Sequence, residues 1–158
     1  LCRIAGEGLG LWDRDRVVAE IDGMEASLRS LGLGRRKAKD KAIEAVEILL
    51  RALNDGRGRW ALDGHDEGSV ELALTGVLGN EIVRVVIDRT FVEDNVRWVI
   101  DYKTSRHEGG SLEEFLQSEK ERYAAQLERY SELLKAGGEK REIRKGLYYP
   151  ALCAWVEW

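Results

Sequence analysis

Two short stretches constrain this chain more than anything else in it: Val85-Val86-Ile87-Asp88-Arg89 and Trp98-Val99-Ile100-Asp101-Tyr102-Lys103-Thr104-Ser105. Both are apolar and β-branched enough to read as strands, and the turn-forming Glu93-Asp94-Asn95 between them predicts an antiparallel hairpin. Each strand carries a carboxylate towards its end. Alternation sends Asp101 and Lys103 to one face and Trp98, Ile100 and Tyr102 to the other. Charged groups at the end of apolar strands are costly unless something pairs or binds them. An acid and an amine this close, beside a second acid on the neighbouring strand, therefore suggest a metal site with a cationic neighbour.

The 158 residues suit one domain with a proper core. A composition of 44% hydrophobic and 34% charged residues is that of a globular domain, and no apolar run approaches the roughly 20 residues that span a bilayer. Acidic residues outnumber basic ones, 29 to 25, for a formal charge of -4. That balance counts against coating DNA by non-specific electrostatics; it leaves room for a local basic groove or for an enzyme whose metals supply the positive charge. Cys2 and Cys153 are far apart and without zinc-spaced partners. A structural zinc and a four-Cys iron–sulfur cluster are thereby disfavoured, and a cytosolic compartment is the plain reading. No signal peptide is visible, and a chain opening at Leu1 is expected to be a piece of a longer one.

In chain order, apolar residues at Val17, Ile21, Met24, Leu28 and Leu31 predict one helix over 13–31, ended by Gly32 and Gly34. A second is expected over 35–54, opened by Arg35, Arg36, Lys37, Lys39 and Lys41, which either contact phosphate or form a solvated face. Asp55-Gly56-Arg57-Gly58 breaks the helical period, Trp60-Ala61-Leu62 restarts order, and 63–68 reads as a polar loop. Its His65 is either a metal ligand or, more commonly for an isolated loop histidine, a surface residue. A strand over 69–74, the Gly79-Asn80 turn and a strand over 81–89 complete a three-stranded meander with the hairpin partner. The segment 106–110 is expected to be a mobile loop. Ser111-Leu112-Glu113-Glu114 is a capping box, and the helix it opens is expected to run to about Ala136, with a break near Ser118, and to stop at Gly137-Gly138. Gln126 and Tyr130, four apart, share a face of it. One or two strands close the chain, the first ending near Pro150 and the second holding Cys153, Trp155 and Val156.

With Asp88, then Asp101-Tyr102-Lys103, then Gln126-Leu127-Glu128-Arg129-Tyr130, the chain resembles the nuclease domain of RecB-type enzymes in the PD-(D/E)XK superfamily. The likeness runs from about Trp60 to the C-terminus. It looks closest to the C-terminal nuclease domain of bacterial helicase-nucleases of the AddA or exodeoxyribonuclease V beta-subunit kind. The resemblance implies a restriction-endonuclease-like α/β core: a central mixed sheet, made of the antiparallel meander plus one or two C-terminal strands, flanked by helices. Residues 1–54 would be a helical N-terminal part and 60–158 the catalytic core of a single nuclease domain. The implied activity is Mg²⁺-dependent exonucleolytic hydrolysis of DNA, with Mn²⁺ able to substitute. The implied context is processing of DNA ends in recombinational break repair in the bacterial cytoplasm. Its partners would be single-stranded DNA, a helicase domain in the same parent chain and a second helicase-nuclease subunit, with no membrane.

Phosphodiester cleavage needs a positioned water and neutralisation of charge on the phosphoryl oxygens, and Mg²⁺ takes oxygen ligands while keeping several waters. The resemblance makes Asp88, Asp101 and the Tyr102 backbone carbonyl the metal ligands and Lys103 the group that orients or deprotonates the attacking water. Gln126 and Tyr130 would support the site and contact the substrate strand, although Tyr130 also lies in the helix's apolar stripe. Glu71 is either a further acid of the site or an ordinary solvent-facing strand residue, and Arg89 either pairs with Asp88 or reaches a phosphate. Family members often carry a metal-ligating His in a Gly-x-x-x-His setting on the first helix. Leu1-Cys2-Arg3-Ile4-Ala5-Gly6-Glu7-Gly8 looks like the residues just after that His, so metal binding and activity of this piece are expected to be weakened. Two other readings compete: an inactive nuclease fold with a structural or DNA-binding role, and a small α/β protein in which these charges are surface ion pairs of little energetic value.

Overall fold

A computed structural model describes residues 1–105, 107 and 109–158; Arg106 and Glu108, inside the expected mobile loop, lie outside the described residues. The elements run α1 (Cys2–Glu7), a 3₁₀ turn (Leu9–Leu11), α2 (Arg14–Ala19), α3 (Ile21–Ser30), α4 (Arg35–Asn54) and α5 (Gly56–Leu62), then β1 (Asp66–Leu78), β2 (Glu81–Glu93) and β3 (Val96–Tyr102), then α6 (Leu112–Ala136), β4 (Glu142–Tyr149) and β5 (Ala154–Glu157). The strands form one sheet in the order β1-β2-β3-β4-β5, antiparallel except where β4 lies parallel to β3 after the α6 crossover. This is the expected mixed sheet flanked by helices, with both C-terminal strands present.

The hairpin turns follow from local chemistry. Asp94 and Asn95 both adopt positive φ, 50° and 60°, as a two-residue turn matched to strand twist requires, and these residue types tolerate it. Val99 and Ile100 are fully buried, one on each face of β3, each contributing about 1.5–3 kcal/mol relative to exposure. Trp98, Ile100, Phe91 and Tyr148 pack with Ile4, Val46 and Leu62 of the amino-terminal helices. Val99, Ile87, Leu147 and Tyr149 pack with Leu127 and Tyr130 of α6 on the opposite face.

Several boundaries differ from the sequence expectation. The helix expected over 13–31 is two, because the chain turns at Glu20 between α2 and α3. The glycine-rich 56–58 stretch opens a helix instead of ending order: Asp55 accepts from the Gly58 backbone N–H at 2.8 Å as its cap. A Cβ on Gly58 would sit 2.4 Å from the Ala52 carbonyl and 2.3 Å from the Tyr148 hydroxyl, so glycine is there for close packing. α6 is unbroken at Ser118. The strand β1 begins within the expected polar loop, at Asp66, with a register shift before Ser69. Charge pairing holds that end: Glu67 takes hydrogen bonds from the Arg97 and Arg141 guanidinium groups, and both arginines also reach Glu139 just beyond α6.

In this network burial alone would raise the Glu139 carboxyl, but the Arg141 backbone N–H and the Arg97 and Arg141 charges outweigh it, holding the group down from an ordinary 4.5 to about 2. A depressed carboxyl stabilises the fold above its unfolded value and loses that contribution as pH falls. Denaturant melts from pH 6 down to about 2 are therefore expected to show the wild type more stable than Glu139→Gln at the upper end, with the gap closing between about 4.5 and 2. A gap independent of pH would detach the network from β1.

Candidate active site

The sequence register aligns three acids. Extrapolating from Val70↔Arg89 and Leu72↔Ile87 sets Glu71 opposite Asp88, and extrapolating from Arg89↔Ile100 sets Asp88 opposite Asp101, a row across β1, β2 and β3. Like charges directly opposite one another destabilise a sheet, and the ladder gives way here: neither Glu71 nor Asp88 is a register partner in the β1–β2 pairing, and Glu71 has φ 48°.

The break reverses which residues face which layer. Leu72, Leu74, Val85 and Ile87 pack on the α6 side. Beyond the break, Val70 faces Gly6 of α1, and Arg89 and Phe91 face the amino-terminal helices. At this point the Asp88 carboxylate accepts the Tyr102 backbone N–H at 3.0 Å, taking up the donor that the ended β2–β3 ladder leaves. The amino end of α1 also arrives here: Cys2 Sγ lies 3.5 Å from the Asp88 carbonyl oxygen, and the Leu1 amino group feels the charges of Asp88 and Glu71.

Asp101 is buried on the α6 face, as alternation from Val99 requires. Burial raises its pKa, and the charge of Asp88 adds to the rise; hydrogen bonds from Lys103 and Gln126 oppose it. Lys103 Nζ lies 2.7 Å from one carboxylate oxygen and Gln126 Nε2 donates to the other at 2.9 Å. The same Gln126 amide contacts the Tyr130 hydroxyl, so the Tyr130 phenol faces the site while its ring fills the core. Tyr123 lays its ring under Lys103, with Nζ 3.6 Å from the centroid. One turn earlier, the buried Glu119 accepts from the Tyr149 hydroxyl at 3.2 Å. Tyr123 and Glu119 were not among the expected site residues. Their signal is the spacing 119, 123, 126, 130, a stripe of polar-tipped side chains within the apolar face of one helix.

Asp88, Asp101, Lys103, Gln126 and Tyr130 are thus brought together. Arg89 is not: it is 3% exposed, donates to the Ala61 and Asp63 carbonyls at 3.2 and 2.7 Å at the end of α5, and neither pairs with Asp88 nor reaches a surface where phosphate could meet it. Its face is set by the sheet, and the two carbonyls hold it beneath α5. His65 is neither ligand nor surface residue; its ring stacks on Phe91 at 3.8 Å and contacts the Trp60 carbonyl oxygen at 2.7 Å. Glu71 is exposed beside the break, and among the described residues no three His, Cys, Asp or Glu side chains converge as a metal-holding group.

The family model of the PD-(D/E)XK nuclease superfamily matches residues 9–154. The chain belongs to that superfamily. Within the matched span, Asp88, Asp101 and Lys103 are the two acids and the amine that the fold brings together at the end of β3. A search of curated proteins finds no match. The donor chemistry suits a hard divalent cation: two carboxylates near enough for one to raise the other's pKa, one of them buried, with oxygen the only donor type. Mg²⁺ needs few protein ligands because it retains water, so the absence of a third converging side chain is no obstacle.

The two roles of Asp88 separate by substitution. Asp88→Asn keeps an oxygen for the Tyr102 N–H and is expected to melt near the wild type; Asp88→Ala leaves that donor without its partner and is expected to cost about 1 kcal/mol or more. Equal melting temperatures for the two variants would show that the Tyr102 contact carries no stability.

Proposed function

We propose that this domain is a divalent-metal-dependent DNA exonuclease, of the RecB type found in AddA-like helicase-nucleases, and that it trims DNA ends during recombinational break repair in the bacterial cytoplasm. The observation that carries the reading is the buried Asp101 carboxylate held on one side by Lys103 and on the other by Gln126, with Asp88 anchored on the next backbone N–H. Such an arrangement keeps costly charge at one point of a sheet, which is explained when that point binds a cation and a phosphate.

In this reading Asp88, Asp101 and the Tyr102 carbonyl hold Mg²⁺, or Mn²⁺ in its place; the bound ion would supply Lewis-acid neutralisation of the phosphoryl oxygens and a more acidic water. Lys103 does the positioning at the attacking water. Its Nζ is fixed between the Asp101 carboxylate and the Tyr123 ring, two contacts that leave a donor pointing onward. Hydrolysis forms a bond from water oxygen to phosphorus and breaks the bond to the departing sugar oxygen. Gln126 keeps Asp101 aimed, and with the Tyr130 hydroxyl it meets the substrate strand.

The parent context follows from the RecB-type resemblance: a helicase domain in the same chain, a second helicase-nuclease subunit, and single-stranded DNA fed to residues 60–158 as catalytic core.

Asp101→Asn and Lys103→Ala are each expected to abolish Mg²⁺-dependent degradation of DNA by the helicase-linked chain, with the circular dichroism melt little changed; undiminished degradation would reject the assignment and favour an inactive scaffold. Gln126→Ala is expected to slow cleavage by roughly tenfold or more, a larger effect than the fall in melting temperature that loss of its hydrogen bond to Asp101 brings. A large drop in melting temperature with cleavage retained would assign Gln126 to packing.

A further inference from the structure

Next to the acid pair, between β2 and α6, lies a cavity of about 370 Å³ lined by Arg84, Val85, Ala125, Gln126, Arg129 and Tyr130. Gln126 belongs to both places, since its amide donates to Asp101. Gln126 and Tyr130 therefore join the groove to the site. Its walls come from different elements, Arg84 from strand β2 and Arg129 from the helix turn that holds Gln126 and Tyr130.

The charge here runs against the rest of the molecule. The chain carries more acid than base, net -4, and several cations elsewhere on the same two layers are ion-paired: Arg97 and Arg141 with Glu67 and Glu139, Lys145 with Glu128, Arg122 with Glu119. Arg84 and Arg129 are exposed, and among the described residues neither has a hydrogen-bond or ion-pair partner. No carboxylate lines the groove. Two exposed arginines without ion-pair partners among the described residues, one from β2 and one from α6, line one groove with the Gln126 amide, a set of donors suited to the oxygens of a phosphodiester.

We propose that Arg84 and Arg129 grip the backbone phosphates of the nucleic-acid strand adjoining the phosphate to be cleaved, making the β2–α6 groove the track along which that strand lies. The inference rests on the nuclease reading and adds to it the residues that hold the strand beyond the reacting centre. The groove reads backbone and not base: the Tyr130 ring is only 6% exposed, so it offers no stacking platform, and the remaining lining is Val85 and Ala125. Recognition is therefore expected to be indifferent to sequence and sensitive to salt.

The test uses a fluorescent deoxythymidine oligonucleotide and one of mixed sequence, titrated with the whole chain in Ca²⁺ over a salt series. Wild type, Arg84→Ala/Arg129→Ala, the charge-keeping Arg84→Lys/Arg129→Lys and Asp101→Asn are compared. The alanine pair is expected to bind roughly tenfold more weakly to both oligonucleotides. The slope of log affinity against log salt is expected to fall by about 1.4 for two lost phosphate contacts on a single strand. The lysine pair should recover the slope, because the ion count depends on charge. An alanine pair with wild-type affinity and slope overturns the proposal; if Asp101→Asn still abolishes cleavage, the nuclease reading stands without it. A wild-type chain that does not bind the oligonucleotides overturns the proposal as well, and a helicase-linked chain that fails to degrade DNA in Mg²⁺ ends the nuclease reading with it.

Discussion

The arrangement depends on a place where the sheet cannot remain a sheet. Glu71, Asp88 and Asp101 fall in one cross-strand row, and a regular ladder would hold neighbouring carboxylates about 5 Å apart with nothing between them. The row is relieved by ending the pairing at that point. Glu71 takes a left-handed backbone conformation, both strands exchange faces, and the Asp88 carboxylate turns to the Tyr102 N–H. A strand of 13 residues spans roughly 43 Å, so the exchange also lets one hairpin serve two layers: its outer half covers α6 and its inner half the amino-terminal helices. Relief of the repulsion among the acids and the packing of the whole hairpin are two consequences of a single backbone irregularity.

That irregularity also explains what could and could not be read from the residues. Elements whose signal is local were legible: α4 at Arg35–Asn54, the capped start and glycine stop of α6, the Asp94-Asn95 turn, and the opposite faces of Ile100 and Asp101. Elements held by distant partners were not. Nothing in Asp66-Glu67-Gly68 announces a strand, since its support is Arg97 and Arg141 from β3 and the segment before β4. Gly56 and Gly58 look like helix breakers until Asp55 caps the helix and Tyr148 packs against Gly58. Strand alternation alone does not say which layer Asp88 and Arg89 each meet, because the faces exchange at Asp88 itself. The residues that the fold brings together, Asp88, Asp101, Lys103, Gln126 and Tyr130, were legible as a set of candidates; Tyr123, whose ring lies under Lys103, and Glu119, which accepts from Tyr149, carry no motif of their own.

An ion-pair network is weak support for a fold when it lies on an open surface, but position matters more than energy for the one at the far end of α6. Arg97 on β3 and Arg141 before β4 converge on Glu139, just beyond the last turn of α6. Towards the other end, Glu119 accepts from Tyr149 on β4. The helix is 25 residues, roughly 37 Å, and these two attachments tie it to adjacent strands on either side of its middle. Tyr123, Gln126 and Tyr130 lie between them. A side chain that must meet a carboxylate and an amine within about half an ångström needs a scaffold that does not slide. A helix tied at a single point could rotate or shift along the sheet by a fraction of a turn and take Gln126 off Asp101. Bound at both, it has one register against β3, and the register that satisfies Glu139 and Glu119 is the one that brings Gln126 to Asp101 and the Tyr123 ring under Lys103.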